Sequence, residues 1–231
     1  MKFSRFKIWS AASAVALLSA CGGGGGSSAP VTSTDTFQLR TAYVSYINGS
    51  GSWPFSISGT VSGANVAGSG TETAGSVSST SFEGQAAQAK TSTATGSFTV
   101  NGQNFPLAAT STAYVSSNYD PLGFNGTKYE VVSSSVPIPA TARVNDTGTW
   151  YSSVRYTSSS KTTRAGTATA TFVLEPDTSS TALLKIIRIE KDTANTVTST
   201  STITFRMTPA GALTRISEID LQGTTTLTLT Y

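Results

Sequence analysis

Apolar and polar residues alternate with a period of two along most of this chain, which is the pattern of half-buried β-strands. The pattern begins in residues 37–47 and 53–61. It recurs in six later segments, which are 150–156, 162–174, 182–191, 197–207, 213–221 and 224–231. Thr, Ser, Val and aromatic residues fill these segments, and such residues suit a pleated sheet. The pattern therefore predicts strands, and it indicates no helix in the globular part of the chain.

The six later segments follow one another with short links, so each is expected to pair antiparallel with the next in a meander. The first half adds four to six more strands, separated by turn signals such as Asn48-Gly49, Asn101-Gly102 and Asn125-Gly126. A sheet of about ten or more strands tends to curl, close or split. We therefore predict an all-β fold with a single antiparallel domain, built either as a sandwich or as a curled or closed, barrel-like sheet.

Residues 63–94 are the hardest part of the chain to interpret. They consist mostly of Gly, Ala, Ser, Thr and Gln, and Phe82 is their one large apolar residue. A strand there would bury little apolar surface, so we favour an edge hairpin and a mobile loop. The alternative is a set of strands packed against a close partner that requires small side chains.

The first twenty residues have the composition of a secretory signal. Residues 1–7 carry Lys2, Arg5 and Lys7 with no acid, and residues 8–20 are apolar or small, in a run too short to span a bilayer. The run ends in Leu18-Ser19-Ala20-Cys21. This tetrapeptide resembles the lipobox of bacterial lipoproteins, and the resemblance implies that Cys21 is acylated and becomes the first residue of the mature protein. Gly22 at the next position resembles lipoproteins that are passed on to the outer membrane.

This resemblance divides the chain into a lipoprotein signal peptide (1–20), a lipidated cysteine with a Gly/Ser-rich tether (21–34) and an all-β domain (35–231). The expected location is the outer membrane, lipid-anchored on its periplasmic or surface face. Loss of the signal changes 15 basic and 12 acidic side chains to 12 of each. No positive excess remains to attract nucleic acid. The expected partners are the membrane, through the lipid on Cys21, and an envelope protein or glycan.

Catalytic and metal-binding residues are scarce. The chain has no histidine and a single cysteine, which excludes Ser-His-Asp and Cys-His catalysis and the common zinc sites. Three acid pairs are spaced by two residues, namely Glu175/Asp177, Glu190/Asp192 and Glu218/Asp220. Such pairs can serve glycoside hydrolysis, but the first two lie where strands run into turns and are more simply solvated turn residues. We therefore expect no enzyme, no cofactor and no metal site.

Aromatic residues near chain reversals are the remaining indication of ligand binding, because rings exposed on loops can stack on sugars or on partner proteins. The loop at 118–126 is the best single candidate patch. The candidate residues are Trp53, Phe55, Tyr119, Phe124, Trp150 and Tyr151.

Three functions stay open at this point. The first is a binding or structural module of the cell envelope. The second is an outer-membrane β-barrel, because Leu227, Leu229 and Tyr231 alternate as in the final strand of such proteins. The third, and least favoured, is a glycan hydrolase that uses one of the acid pairs. Against the barrel, Lys185 and Arg188 lie on opposite faces of their predicted strand.

Overall fold

A computed structural model describes residues 32–231, which form one helix and thirteen strands. The helix α1 spans Leu39–Asn48 and precedes all the strands. The strands are β1 (Gly51–Val61), β2 (Ala64–Ala74), β3 (Ser78–Phe82), β4 (Gln85–Val100), β5 (Gln103–Val115), β6 (Pro121–Asn125), β7 (Tyr129–Ser135), β8 (Thr147–Tyr156), β9 (Arg164–Pro176), β10 (Ala182–Lys191), β11 (Val197–Met207), β12 (Leu213–Gln222) and β13 (Thr225–Thr230).

The strands form one antiparallel sheet that closes into a barrel of twelve strands. Strand β1 pairs with β13, and β2 pairs with β4, which joins the two ends of the sheet. Strand β3 pairs only with β4 and stands outside the ring. Closure pairs backbone N–H and C=O groups that the two edges of an open sheet would leave unpaired. The predicted all-β antiparallel fold is confirmed, and its form is the closed barrel.

The predicted six-strand meander is confirmed in β8 to β13, each of which pairs with the next. Except at bulges, side chains alternate between the interior of the barrel, which we call the lumen, and its outer surface. In β9, for example, Ala168, Ala170, Phe172 and Leu174 are buried while the intervening residues are not. Hydrophobic burial on the lumen side thus fixes the register, because a slip of one residue would expose this face.

The favoured interpretation of residues 63–94 as an edge hairpin and a mobile loop is wrong. These residues form β2, β3 and most of β4, in the part of the ring where the sheet closes. Their glycines allow close approach: a Cβ at Gly68 would lie 2.4 Å from the Ser97 carbonyl oxygen, and one at Gly96 would lie 2.3 Å from that of Ser69. Small residues therefore serve a tightly packed strand pair, which was the alternative interpretation.

The prediction of a strand over residues 37–47 is also wrong, because most of this segment belongs to α1. Its buried residues are Leu39, Ala42, Tyr43 and Ile47, whose spacing of three and four is helical. The predicted turn at Asn48-Gly49 is instead the end of this helix, where the Gly49 N–H donates to the Ser45 carbonyl oxygen at 2.8 Å. Within residues 32–231 no helix combines the length and apolar character needed to cross a membrane.

The helix α1 packs at one end of the barrel, which we call the α1 end. Phe37 and Ala142 exchange two backbone hydrogen bonds there, of 2.8 and 2.9 Å. Around them lies the largest hydrophobic cluster, in which Leu174 and Met207 have no measurable exposure. The opposite end, which we call the hairpin end, carries six strand connections, including the confirmed tight turn at Asn101-Gly102, where both residues have positive φ.

Candidate ligand site in the barrel lumen

The lumen contains a cavity of about 330 Å³. Cavities that hold small molecules start at about this size. Its lining comes from α1 and from strands on all sides of the ring, so the cavity lies along the barrel axis. Apolar residues line it on every side, including Ile186 and Phe205, and most of the charged residues lie on β7 to β12, which we call the charged side.

The apolar side is formed by β13, β1, β4 and β5, and β2, which lies between β1 and β4, lines the cavity only through Glu72. Strands β1, β4, β5 and β13 contribute Ile57, Phe98, Leu107 and Leu227, which are buried in one hydrophobic cluster and line the cavity. This part of the lumen offers a surface for the apolar portion of a ligand.

The charged side begins with four residues of β7, β8 and β10 that we call the ionic quartet: Glu130, Arg155, Arg188 and Glu190. Each arginine contacts both glutamates. Arg155 Nη2 lies 2.5 Å from Glu190 Oε2, and Arg155 Nε lies 3.4 Å from Glu130 Oε1. The Ser153 hydroxyl adds a hydrogen bond of 3.1 Å to Glu130 Oε2.

The pairing of the strands and the alternation of their side chains bring the four residues of the ionic quartet together. Glu130 and Arg155 are direct cross-strand partners in β7 and β8, and Arg188 and Glu190 are two residues apart on β10, so they share its lumen face. Glu190 is 1% exposed. Burial lowers the pKa of Arg188, but the charges of Glu130 and Glu190 outweigh it and raise that pKa above its ordinary value. Arg188 therefore stays charged, and the quartet sets two arginines against two glutamates.

A second charged group, which we call the Arg215 cluster, lies nearby. Arg215 binds Glu72 Oε2 and Glu218 Oε2, each at 2.5 Å, and its guanidinium lies 4.1 Å from the centre of the Tyr231 ring. The Tyr231 hydroxyl donates to Glu72 Oε2 at 2.9 Å. Burial raises the pKa of Glu218, although Arg215 opposes that rise.

Asp220 lies between the two charged groups. It lines the cavity, and its Cα is paired with those of Leu227 and Ser201 on the neighbouring strands. Within the described residues the Asp220 side chain takes part in no hydrogen bond and no ion pair, and its Oδ1 is shielded from solvent. Burial, with a further contribution from Glu218 and Glu190, holds the pKa of Asp220 well above its ordinary value.

The wall of the barrel has a gap on one side. Strand β5 pairs with β6 only over Thr112–Val115, so residues 103–111 are bonded to β4 alone in the described sheet. Across from this free edge lies the connection between β6 and β7. The cavity is lined on both sides of the gap, by Thr110, Ser111, Asn125, Gly126, Thr127 and Lys128. The two sides come close at Gly126, where a Cβ would lie 3.5 Å from Ser111 Cβ, and the unpaired part of β5 continues from there to residue 103.

Three of the predicted aromatic residues lie in the lumen and line its cavity. Trp150 meets Tyr43 of α1 edge to face, with 4.5 Å between ring centres, and Tyr151 lies 5.4 Å from Phe124. A bulge at Thr149/Tyr151 in β8 is what allows both Trp150 and Tyr151 to reach the interior. The structure thus brings Phe124, Trp150 and Tyr151 together inside the barrel instead of on an exposed loop.

The other three predicted aromatic residues are dispersed. Phe55 is buried against Tyr231, with 5.6 Å between ring centres. Trp53 is 37% exposed near the start of β1. The Tyr119 hydroxyl accepts a hydrogen bond of 2.8 Å from the Asn48 side chain. No single surface patch joins these residues, and their role in ligand binding stays a prediction.

The three predicted acid pairs also lie partly in the lumen and partly near the barrel surface. Glu175 pairs with Lys185 and Asp177 with Arg206, both near the barrel surface, and Asp192 accepts backbone N–H groups in its turn. The interpretation of Glu190 as a solvated turn residue is wrong, because Glu190 belongs to the buried ionic quartet. Glu218 and Asp220 also face the lumen.

Glu130, Arg155 and Arg188 were not predicted as site residues. A signal existed for Arg188, which shares strand parity with the buried Leu184. Among residues 32–231, no three His, Cys, Asp or Glu side chains are grouped in a way that could hold a metal ion. Comparison with protein-family models, with curated proteins and with solved structures finds no match to this chain.

Proposed function

We propose that this chain is a lipid-anchored binding module of the cell envelope, whose barrel stands in water and holds a small amphipathic molecule in its lumen. The observation that carries the proposal is the two-sided lumen, in which a continuous apolar surface faces a set of charged residues around one cavity. Small-molecule sites commonly combine an apolar lining with a few well-placed polar groups.

The outer surface of the barrel supports a position in water. Hydroxyl-bearing residues fill most of the outward positions on four strands: Ser56, Ser58 and Thr60 on β1, Thr167, Thr169 and Thr171 on β9, Thr198, Thr200 and Thr202 on β11, and Thr226, Thr228 and Thr230 on β13. A transmembrane barrel presents an apolar band to lipid and polar residues to its lumen. On these four strands the barrel has the opposite arrangement, whereas the outward residues of β10 include Leu183, Ile187 and Ile189.

The last strand makes the same point. The alternation of Leu227, Leu229 and Tyr231 resembled a lipid-facing strand, but these side chains pack on the lumen side, with Phe55 and Ile57. Thr228 and Thr230 are the residues that face outward. The alternative of an outer-membrane barrel is therefore less well supported than the binding module.

We also propose that the lumen binds without catalysis. Glu218, the partner of Asp220 in the remaining acid pair, is bound to Arg215 at 2.5 Å. A hydrolase needs one carboxyl group as proton donor and another as base or nucleophile, both free to reach the substrate. An arginine-bound glutamate next to a single unpaired acid suits recognition better.

The anchor implied by Cys21 lies outside the described residues. The described chain enters the barrel at the α1 end, where Ser33 is buried and Phe37 pairs with Ala142. A tether over 21–34 would therefore hold the α1 end nearest to the membrane, with a reach on the order of 20 Å. The wall gap beside β5 would then face away from the membrane, open to the envelope.

Two tryptophan substitutions on one strand test the proposed site. Ala109 lines the cavity, whereas its neighbour Ala108 is exposed on the outer surface. The mature chain with Cys21→Ser is titrated with the uncharged fluorescent probe N-phenylnaphthylamine. We expect saturable binding, which Ala109→Trp abolishes by filling the lumen and Ala108→Trp preserves. Equal binding by both variants, or no saturable binding by the parent chain, would overturn the lumen as the binding site.

The anchor has its own test. Cells that express the full chain are fed a fatty acid carrying a clickable label, and the protein is isolated. We expect labelling that Cys21→Ser removes, together with release of that variant from the membrane fraction. Labelling that survives Cys21→Ser would refute acylation at this residue.

A further inference from the structure

Five acidic side chains line the lumen cavity, and four of them have a basic partner. Glu130 and Glu190 are bound by two arginines in the ionic quartet. Glu72 and Glu218 share Arg215. The fifth is Asp220, whose side chain has no ion pair and no hydrogen bond within the described residues.

The basic side chains that line the cavity also have partners, including Lys128 at the wall gap. Lys90 donates to the carbonyl oxygens of Tyr46 and Gly49 at the end of α1. Each arginine holds two carboxylates. An anionic ligand would have to displace one of these carboxylates, whereas a cationic ligand would meet an acid that has no partner.

We propose that the lumen binds an elongated amphiphile that carries a primary ammonium group, with Asp220 as the counter-ion of that group. This inference rests on the proposed function, which it narrows to one chemical class of ligand. The ammonium group supplies the charge and the hydrogen-bond donors that Asp220 lacks, and hydrogen bonds to charged groups are the strong ones.

The position of Asp220 fits a molecule with one apolar part and one charged part. Strand β12, which carries Asp220, lies between β11 and β13 at the border of the two sides of the lumen. Its neighbour on β13 is Leu227, which belongs to the apolar side with Ile57 and Phe98. A ligand whose ammonium group binds Asp220 can therefore lay its alkyl chain directly on the apolar side.

The surroundings of Asp220 also favour a cation. Glu218 and Glu190 act on it as like charges, and Arg188 and Arg215 oppose them. Both arginines are already matched by carboxylates. An ammonium group thus relieves the repulsion among three acids and leaves the existing ion pairs intact.

The test compares three probes with the same alkyl chain, which are decylamine, decanol and decanoate. Each is titrated by calorimetry, below its micelle concentration and near neutral pH, into the mature chain with Cys21→Ser. A second chain adds Asp220→Asn, which keeps the shape of the side chain and removes its charge. A third adds Asp192→Asn, the same change in a turn at the hairpin end that does not line the cavity.

We expect decylamine to bind about tenfold or more tightly than decanol, and decanoate to bind most weakly. Asp220→Asn should remove the preference for the amine and leave decanol affinity unchanged, while Asp192→Asn should change neither. Decanol binding without a preference for the amine, a preference for decanoate, or a preference that survives Asp220→Asn would each overturn this inference alone. Failure of all three probes to bind would overturn the proposed function as well.

Discussion

Removal of one carboxylate from the ionic quartet is expected to destabilise the barrel strongly. Glu190 contacts both Arg155 and Arg188 and is 1% exposed. The substitution Glu190→Gln keeps the size of the side chain but leaves two buried guanidinium groups to share Glu130. Loss of one partner from a buried ion pair costs about 3–5 kcal/mol, because it leaves a charge without compensation.

A matched control exists on the outer surface. Glu175 of β9 pairs with Lys185 of β10 at 2.6 Å, but the two side chains are 39% and 29% exposed. Solvent screens such a pair, so Glu175→Gln should cost less than about 1 kcal/mol. The contrast between the two substitutions isolates the effect of burial, since both convert a paired glutamate to glutamine.

The assay is urea unfolding of the mature chain with Cys21→Ser, followed by far-UV circular dichroism. We expect Glu190→Gln to lower the free energy of unfolding by about 3–5 kcal/mol. Adding Arg155→Met to Glu190→Gln should cost less than the sum of the two single changes, because the residues share one network. If Glu190→Gln lowers the free energy of unfolding as little as Glu175→Gln does, the quartet is solvated and its description as buried is wrong.

Three further predictions concern the closure of the ring, the seating of the helix and the titration of the lumen. Gly96→Ala should destabilise the chain by about 1–3 kcal/mol in urea unfolding, because its Cβ meets backbone of β2 at 2.3 Å; Gly75→Ala, whose Cβ would lie 3.8 Å from its nearest neighbour, should have little effect. Lys90→Met removes the side chain that donates hydrogen bonds to the end of α1. Amide hydrogen exchange of Tyr46 and Gly49 should therefore accelerate, while exchange in β9 and β10 stays slow. Unchanged exchange at Tyr46 and Gly49 would show that Lys90 does not hold the helix. Because the pKa of Asp220 is raised, the folded chain binds more protons than the unfolded chain above about pH 4, and the free energy of unfolding should fall as pH rises through the folded-state pKa. Asp220→Asn should flatten this fall. An unchanged slope would contradict the raised pKa of Asp220.

The fold was predictable from the sequence where side chains alternate cleanly. In β9, for example, Phe172 and Leu174 alternate with exposed or half-buried residues, which indicates both the strand and the face that it buries. The helix α1 was harder, because residues 37–47 satisfy both periods. Phe37, Leu39, Tyr43 and Ile47 alternate as in a strand, and Leu39, Tyr43 and Ile47 also share a helical face.

The candidate site was predictable only in part, because its partners are distant in sequence. Arg215 and Glu72 are 143 residues apart and meet only when the ring closes through β1 and β13. Bulges add a second difficulty. The irregularity in β8 changes the parity of the strand at Trp150, so a count of alternating residues cannot place both Trp150 and Tyr151 in the lumen.

We propose that a hydroxyl-rich barrel wall faces water and encloses the ligand site. The most direct measurement is size-exclusion chromatography with light scattering on the mature chain with Cys21→Ser in buffer without detergent, with far-UV circular dichroism of the eluted peak. The account predicts a single monodisperse species with a β-sheet spectrum. Aggregation that only detergent relieves would contradict it, and would favour a barrel that faces lipid.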